Sequence, residues 1–169
     1  MVQQLNPTQL VVHTLSNKLD DSSPQIRAKA AESLGKIGDR MATDTLLNHL
    51  HEETDLETRR TIIQALGQIG QESAIPYLAL FLADINPSIR IAATESIGKI
   101  GTEKAVSYLV QSLTDEEPQV RAIAATALGE IGTEETLPPL SHACSDADDN
   151  VRLSAVEALG KIGHRYAIN

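Results

Sequence analysis

The chain has 169 residues, of which 41% are hydrophobic and 2% aromatic, and its formal net charge at pH 7 is -9. That charge argues against nucleic acid as a partner, because phosphate-backbone binding rests on clustered Lys and Arg. The single cysteine, Cys144, excludes an internal disulfide framework, no apolar run approaches the ~18 residues of a membrane span, and the opening "MVQQLNPTQL" lacks the basic start and apolar run of a signal peptide, so a soluble cytoplasmic protein is expected.

In chain order, Asn6-Pro7 opens a helix whose apolar stripe is Val12, Leu15 and Leu19. A second helix starts at Ser23-Pro24, runs through "IRAKAAESLGKIG" and is closed by glycines at 35 and 38. This pair, helix A then helix B, recurs. The A stripes continue as Thr43, Leu46, Leu50; Ile75, Leu78, Leu82; Val106, Leu109, Leu113; and Leu137, Leu140, Cys144. The B phrases continue as "TRRTIIQALGQIG", "IRIAATESIGKIG", "VRAIAATALGEIG" and "VRLSAVEALGKIG". Pro76 and Pro138 would damage a helix interior, so helix A is expected to begin near them, after a tight turn such as "GTEK".

The arginines Arg27, Arg59, Arg90, Arg121 and Arg152 are spaced by 32, 31, 31 and 31 residues, and all ten glycines fall in five pairs at the ends of the B phrases. A fixed period of this size signifies stacked repeats. The expected organisation is one repeat domain over 1–169, with repeats at 6–38, 39–70, 71–101, 102–132 and 133–163. Residues 164–169, "HRYAIN", read as the stub of a further helix A. This abrupt stop predicts either a piece of a longer array or an end covered by a partner or a second copy.

Each arginine lies near the start of helix B, where the helix dipole disfavours a cation. Six residues earlier stands an acid: Asp21, Glu53, Asp84, Asp115 and Asp146. The ten residues are expected to form a structural ladder of charge-assisted hydrogen bonds, within or between neighbouring repeats.

The pattern D-x-x-P-x-V-R-x-x-A-x-x-A-L-G-x-I-G, nearly whole in Asp115 to Gly132, resembles the short HEAT-like repeat named after the phycobilisome lyases. The resemblance covers almost the entire chain. It implies an all-α fold, a right-handed alpha-alpha superhelix (alpha-solenoid) of about five HEAT-like helix pairs, with B helices lining the concave side. It further implies a protein-binding scaffold, or an accessory subunit of a phycobilin lyase or other phycobilisome assembly or degradation factor, with a phycobiliprotein or a lyase subunit as partner. The chain also resembles HEAT-like deoxyhypusine hydroxylases, in which His-Glu pairs hold two irons. Here the residues after each arginine are Ala28-Lys29, Arg60-Thr61, Ile91-Ala92, Ala122-Ile123 and Leu153-Ser154, so that ligand set is missing.

Other chemistry is equally sparse. His51-Glu52, with His49 and Glu53, reads as a solvated helix end rather than a metal site. Cys144 occupies a leucine slot, and His142, two residues away on a helix, points elsewhere. No catalytic residues, metal or cofactor are expected. The informative positions are those where repeats differ within one slot. Repeats three to five place Ile91, Ala122 and Leu153 on the outer side of helix B, with Ile123 beside them and Glu95 and Glu157 nearby, an apolar strip with an acidic rim suited to a protein partner. The rival is the set of aromatics on helices A3 and A4, Tyr77, Phe81 and Tyr108, which face away from the buried stripe.

Overall fold

The computed structural model describes residues 5–168. Helices account for all regular structure among them, in five successive pairs: α1 (Pro7–Ser16) with α2 (Pro24–Ile37), α3 (Thr43–Glu52) with α4 (Leu56–Ile69), α5 (Ile75–Ala79) with α6 (Pro87–Ile100), α7 (Val106–Ser112) with α8 (Pro118–Ile131), and α9 (Leu137–Ala143) with α10 (Asp149–Ala167). The chain divides into two compact units. The first ends at Ala74 and holds α1 to α4, and the second begins at Ile75 and holds α5 to α10.

Local chemistry sets the helix starts. At α1, the Asn6 side chain accepts from the Gln9 backbone N–H at 2.8 Å, and the Asn6 N–H donates to Gln9 Oε1 at 3.0 Å, so two orphan amides are satisfied reciprocally. Asp55, Asn86 and Asp148 cap α4, α6 and α10 with side-chain oxygens. Ser23 makes no such cap, and its hydroxyl bonds Gln25 instead. Helices α3, α5, α7 and α9 are each preceded by a 3-10 turn, and the turn's last residue, Ala42, Ala74, Ala105 or Thr136, is fully buried.

The two glycines of each pair differ in purpose. Gly38, Gly70, Gly101 and Gly132 have φ of 71°, 74°, 64° and 64° and close α2, α4, α6 and α8 in the left-handed conformation. The earlier glycines lie inside the helices, where they permit close approach. A Cβ on Gly35 would stand 2.8 Å from Ala65 Cα, and one on Gly129 2.7 Å from Ala158 Cα. Adjacent B helices within each unit therefore cross at a glycine against a small residue.

The fifth repeat departs from this rule. Gly163 does not end a helix, and α10 runs through it to Ala167, so residues 164–167 are the last turn of α10 rather than a stub of a further helix A. After Gly38, Gly70, Gly101 and Gly132 the chain folds back to bury the next 3-10 turn, whereas Ala167, four residues after Gly163, is exposed. Arg165 meanwhile donates to the carbonyls of Gly129 and Glu130, the latter at 3.1 Å, placing a cation on the C-terminal end of α8.

Each unit has its own apolar core. Leu19, Leu34, Leu46, Ile62 and Leu66 fill the first, and Leu78, Ile89, Ile97, Leu109 and Leu128 the second. Burying one such side chain is worth about 1.5–3 kcal/mol, which is how five-to-ten-residue A helices of poor intrinsic stability are held.

Candidate functional site

The arginine slot is the most strongly built polar feature. In the first unit, Arg27 on α2 donates from Nε and Nη2 to both carboxylate oxygens of Glu53, each at 2.8 Å. In the second, Arg90 holds Asp115 at 2.9 and 3.0 Å, and Arg121 holds Asp146 at 2.8 and 2.8 Å. The carboxylate thus comes from the following repeat. The remaining nitrogen bonds the backbone carbonyl of the acid in its own repeat: Arg27 to Asp21, Arg90 to Asp84, Arg121 to Asp115 and Arg152 to Asp146, all within 3.0 Å. Arg59 reaches the Glu53 carbonyl in the same way, at 2.6 Å from Nη2.

These pairs are nearly out of water, with Arg90 and Asp115 side chains 7% and 9% exposed. Arg27 holds the Glu53 carboxyl below its usual range, and Arg121 does the same to Asp146, while partial burial opposes both shifts. Each carboxylate also accepts backbone N–H bonds from its own turn, Glu53 from Thr54 and Asp55, Asp146 from Asp148. In Arg27, Arg90 and Arg121 all three guanidinium nitrogens donate within this stitching.

Beyond the arginines, the outer side of the B helices carries a groove in each unit. In the first, α2 and α4 enclose about 630 Å³. Its walls are polar: Lys29, Glu32 and Lys36 from α2, and Arg60, Gln64 and Gln68 from α4. Glu32 sits between Lys29 and Lys36, which lower its pKa to about 2. In the second unit, α6, α8 and α10 enclose about 480 Å³. Ala122, Ile123 and Ala127 form an apolar floor, and Glu95, Lys99 and Glu130 stand around it.

Of the strip read from sequence, the structure brings Glu95, Ala122 and Ile123 into this groove, whereas Ile91, Leu153 and Glu157 lie outside its lining. Ile91, Ala122 and Ile123 are half-buried, and Leu153 and Glu157 are exposed. Gly98, Lys99, Thr126, Ala127, Glu130 and Ser154 complete the lining and lie outside that strip. Glu130 is paired with Lys161, while Glu95 and Glu157 enter no ion pair among the described residues.

On the A-helix side, Tyr77 is exposed, and Phe81 and Tyr108 are half-buried. Two larger apolar exposures accompany them, Leu80 and Ile85. Leu80 takes a slot held by Asn17, Asn48, Gln111 and His142 in the other repeats, and a comparison by slot rather than by residue type would have found it. His49, the histidine nearest a metal reading, spends its two ring nitrogens on Thr45 O at 2.8 Å and Asp20 Oδ1 at 3.0 Å. Among the described residues no cluster of three or more His, Cys, Asp or Glu side chains is placed to hold a metal. Cys144 is half-buried and His142 exposed. No described helix is long and apolar enough to cross a membrane.

A family profile described as HEAT repeats matches residues 12–84, 57–119 and 106–169. Comparison with curated proteins returns no sequence match. Among solved structures, the chain is similar to the complex of CpcE and CpcF of phycocyanin lyase from Nostoc sp. PCC7120, with a TM-score of 0.76 and 25% identity, covering 97% of this chain and 69% of that one. It is similar in fold to human deoxyhypusine hydroxylase in complex with glycerol, at a TM-score of 0.63 and 24% identity, covering 90% of this chain and 74% of that one. A designed armadillo repeat protein in complex with the peptide (KR)4 shares the fold at a TM-score of 0.69 and 20% identity, covering 92% and 85%.

Proposed function

The chain belongs to the HEAT-repeat family, and on that premise we propose that it is a non-catalytic scaffold that docks another protein in the groove of α6, α8 and α10. The carrying observation is the apolar floor of Ala122, Ile123 and Ala127 set among Glu95 and Glu130, on a face whose arginines are already committed to structure. Such a floor excludes water from an apolar anchor, and the free carboxylate of Glu95 favours a basic neighbour on the partner. The preferred ligand is a segment that alternates apolar and basic side chains.

Selection from a displayed peptide library tests this. Apolar-basic peptides that bind the native chain and lose at least tenfold in affinity to Ile123→Asp support the reading. Peptides that bind Ile123→Asp equally well sink it.

A second reading is favoured by the similarity to the CpcE–CpcF complex, which spans 97% of this chain. In that reading the partner is a phycobiliprotein or another lyase subunit, and the chain assists bilin attachment or removal without supplying the chemistry. Incubation with bilin, a phycobiliprotein and a candidate second subunit separates the two: covalent adduct that depends on this chain supports assistance, and binding without adduct supports the scaffold alone.

A further inference from the structure

Five copies of one repeat serve as internal controls for one another, because each slot recurs in nearly the same surroundings. On the A-helix side that comparison singles out the third repeat. Leu80 is 74% exposed and Ile85 is 96% exposed. The Leu80 slot is polar in every other repeat, Ala83 stands where they have Asp20, His51, Thr114 and Ser145, and Ile85 stands where three of the four have Ser22, Thr54 and Glu116. Residues 73–83 carry no charged side chain at all. Local backbone geometry lines these positions up. After α5 the chain tightens into a 3-10 turn over Leu80–Ala83, in which side chains three apart eclipse, so Leu80 and the exposed Ala83 face the same way. Tyr77, 55% exposed, precedes Leu80 by three residues on the same helical face, and Ile85 follows in the turn into α6. Apolar residues exposed singly are ordinary, whereas several in one short stretch, in slots that are elsewhere polar, make a patch.

The charges beside this patch are of one sign. Arg90 donates to the Ile85 carbonyl at 3.4 Å and holds the carboxylates of both Asp115 and Glu116, so one guanidinium faces two carboxylates. Its own side chain is 7% exposed and that of Glu116 is 85% exposed, so the part of this trio that meets water is the carboxylate. Asp84, next to Ile85, accepts from the Asn86 N–H at 2.8 Å and enters no ion pair among the described residues. Such a rim repels an anionic lipid surface, and a two-fold pairing of copies would set two acidic rims against each other.

We infer that this face of the third repeat docks a segment of another protein that presents apolar side chains flanked by Lys or Arg. The apolar anchor packs on Tyr77 and Leu80, and the cations beside it meet Asp84 and Glu116. None of these residues lines the groove of α6, α8 and α10, so the inference stands apart from the docking proposed there.

Fluorescence anisotropy with an amphipathic helical peptide of leucine and lysine, and with its leucine-glutamate counterpart, tests it. The peptides are titrated with Ile123→Asp, in which the other groove is disabled, and with the same protein carrying also Leu80→Asn and Ile85→Thr, the residues that the second repeat holds in these slots. Both positions are exposed, so helical signal and melting temperature should hold. The leucine-lysine peptide should bind the first protein, weaken as salt is added, and lose at least tenfold in affinity to the second. The leucine-glutamate peptide should bind neither. Glu116→Gln should cost the lysine peptide severalfold, and stands in should the Leu80 and Ile85 variant fail to fold. Lysine-peptide binding that is absent from the first protein, or equally tight in the folded variants, overturns the inference, as does equal binding of the glutamate peptide. Self-association of the native chain that Leu80→Asn with Ile85→Thr abolishes would assign the face to a second copy, and lost binding to anionic vesicles would assign it to a membrane; either result overturns it too.

Discussion

The grooves of the two units are built on the same slots and differ almost wholly in chemistry. Where α4 places Arg60, Thr61, Gln64 and Gln68, α8 places Ala122, Ile123, Thr126 and Glu130. The glycine crossing and the forward arginine-carboxylate pair are common to both units, so the frame is held constant while the exposed face is free to vary. Recurrence therefore marks what builds the repeat, and divergence within a slot marks what a partner can read.

The sharpest way to break the comparison is through the shared frame. Gly129→Leu drives a side chain into the Ala158 backbone and should cost about 3 kcal/mol, at the upper end for overpacking. The same change at Gly160 should leave the melting temperature of the free chain nearly unmoved. Equal losses at the two sites in thermal denaturation would show that helix-interior glycines matter for some reason other than the crossing.

Next in size is the arginine. Arg121→Ala should lose about 2 kcal/mol, since the buried-side carboxylate of Asp146 is left without its charged donor. In a double-mutant cycle, Arg121→Ala and Asp146→Ala should be strongly non-additive, whereas Arg121→Ala and Asp115→Ala should be close to additive, because Arg121 touches only the Asp115 backbone. The reverse pattern in urea unfolding would place the pair within one repeat.

A smaller, graded effect appears with acid. Glu53 and Asp146 have folded pKa values below their ordinary 4.5 and 3.8. The unfolded chain therefore binds more protons in that window, and stability falls as pH drops from the ordinary values through the lowered ones. The contribution is complete above that range. Glu53→Gln should flatten the fall of melting temperature below about pH 4.5, and Asp146→Asn that below about pH 3.8, each in the unit that carries it. An unchanged acid limb would mean that other carboxylates govern it.

The smallest expected change in stability carries the largest change in recognition. Ala122→Arg with Ile123→Thr transplants the α4 chemistry onto α8 at half-buried positions, and should shift the melting temperature by only a few degrees. Binding of apolar-basic peptides should disappear. Retained binding would move the docking face elsewhere, with the Tyr77 and Leu80 surface the next to test.

The chain by itself determined the period, the helix pairs, the proline and asparagine starts, the second glycine of four pairs as a cap, and the membership of the arginine slot. All of these follow from local preferences and from which face of a helix is apolar, and a 31-residue period writes them several times over. Only the tertiary structure decided that the first glycine of a pair is a crossing point, that Arg121 reaches forward to Asp146 instead of pairing with the carboxylate of Asp115, and that α10 continues through Gly163. It also decided that Ile123 is groove floor while Leu153 lies outside. Each of these depends on what the neighbouring repeat brings to within a few ångströms, and a slot's own sequence is silent about its neighbour.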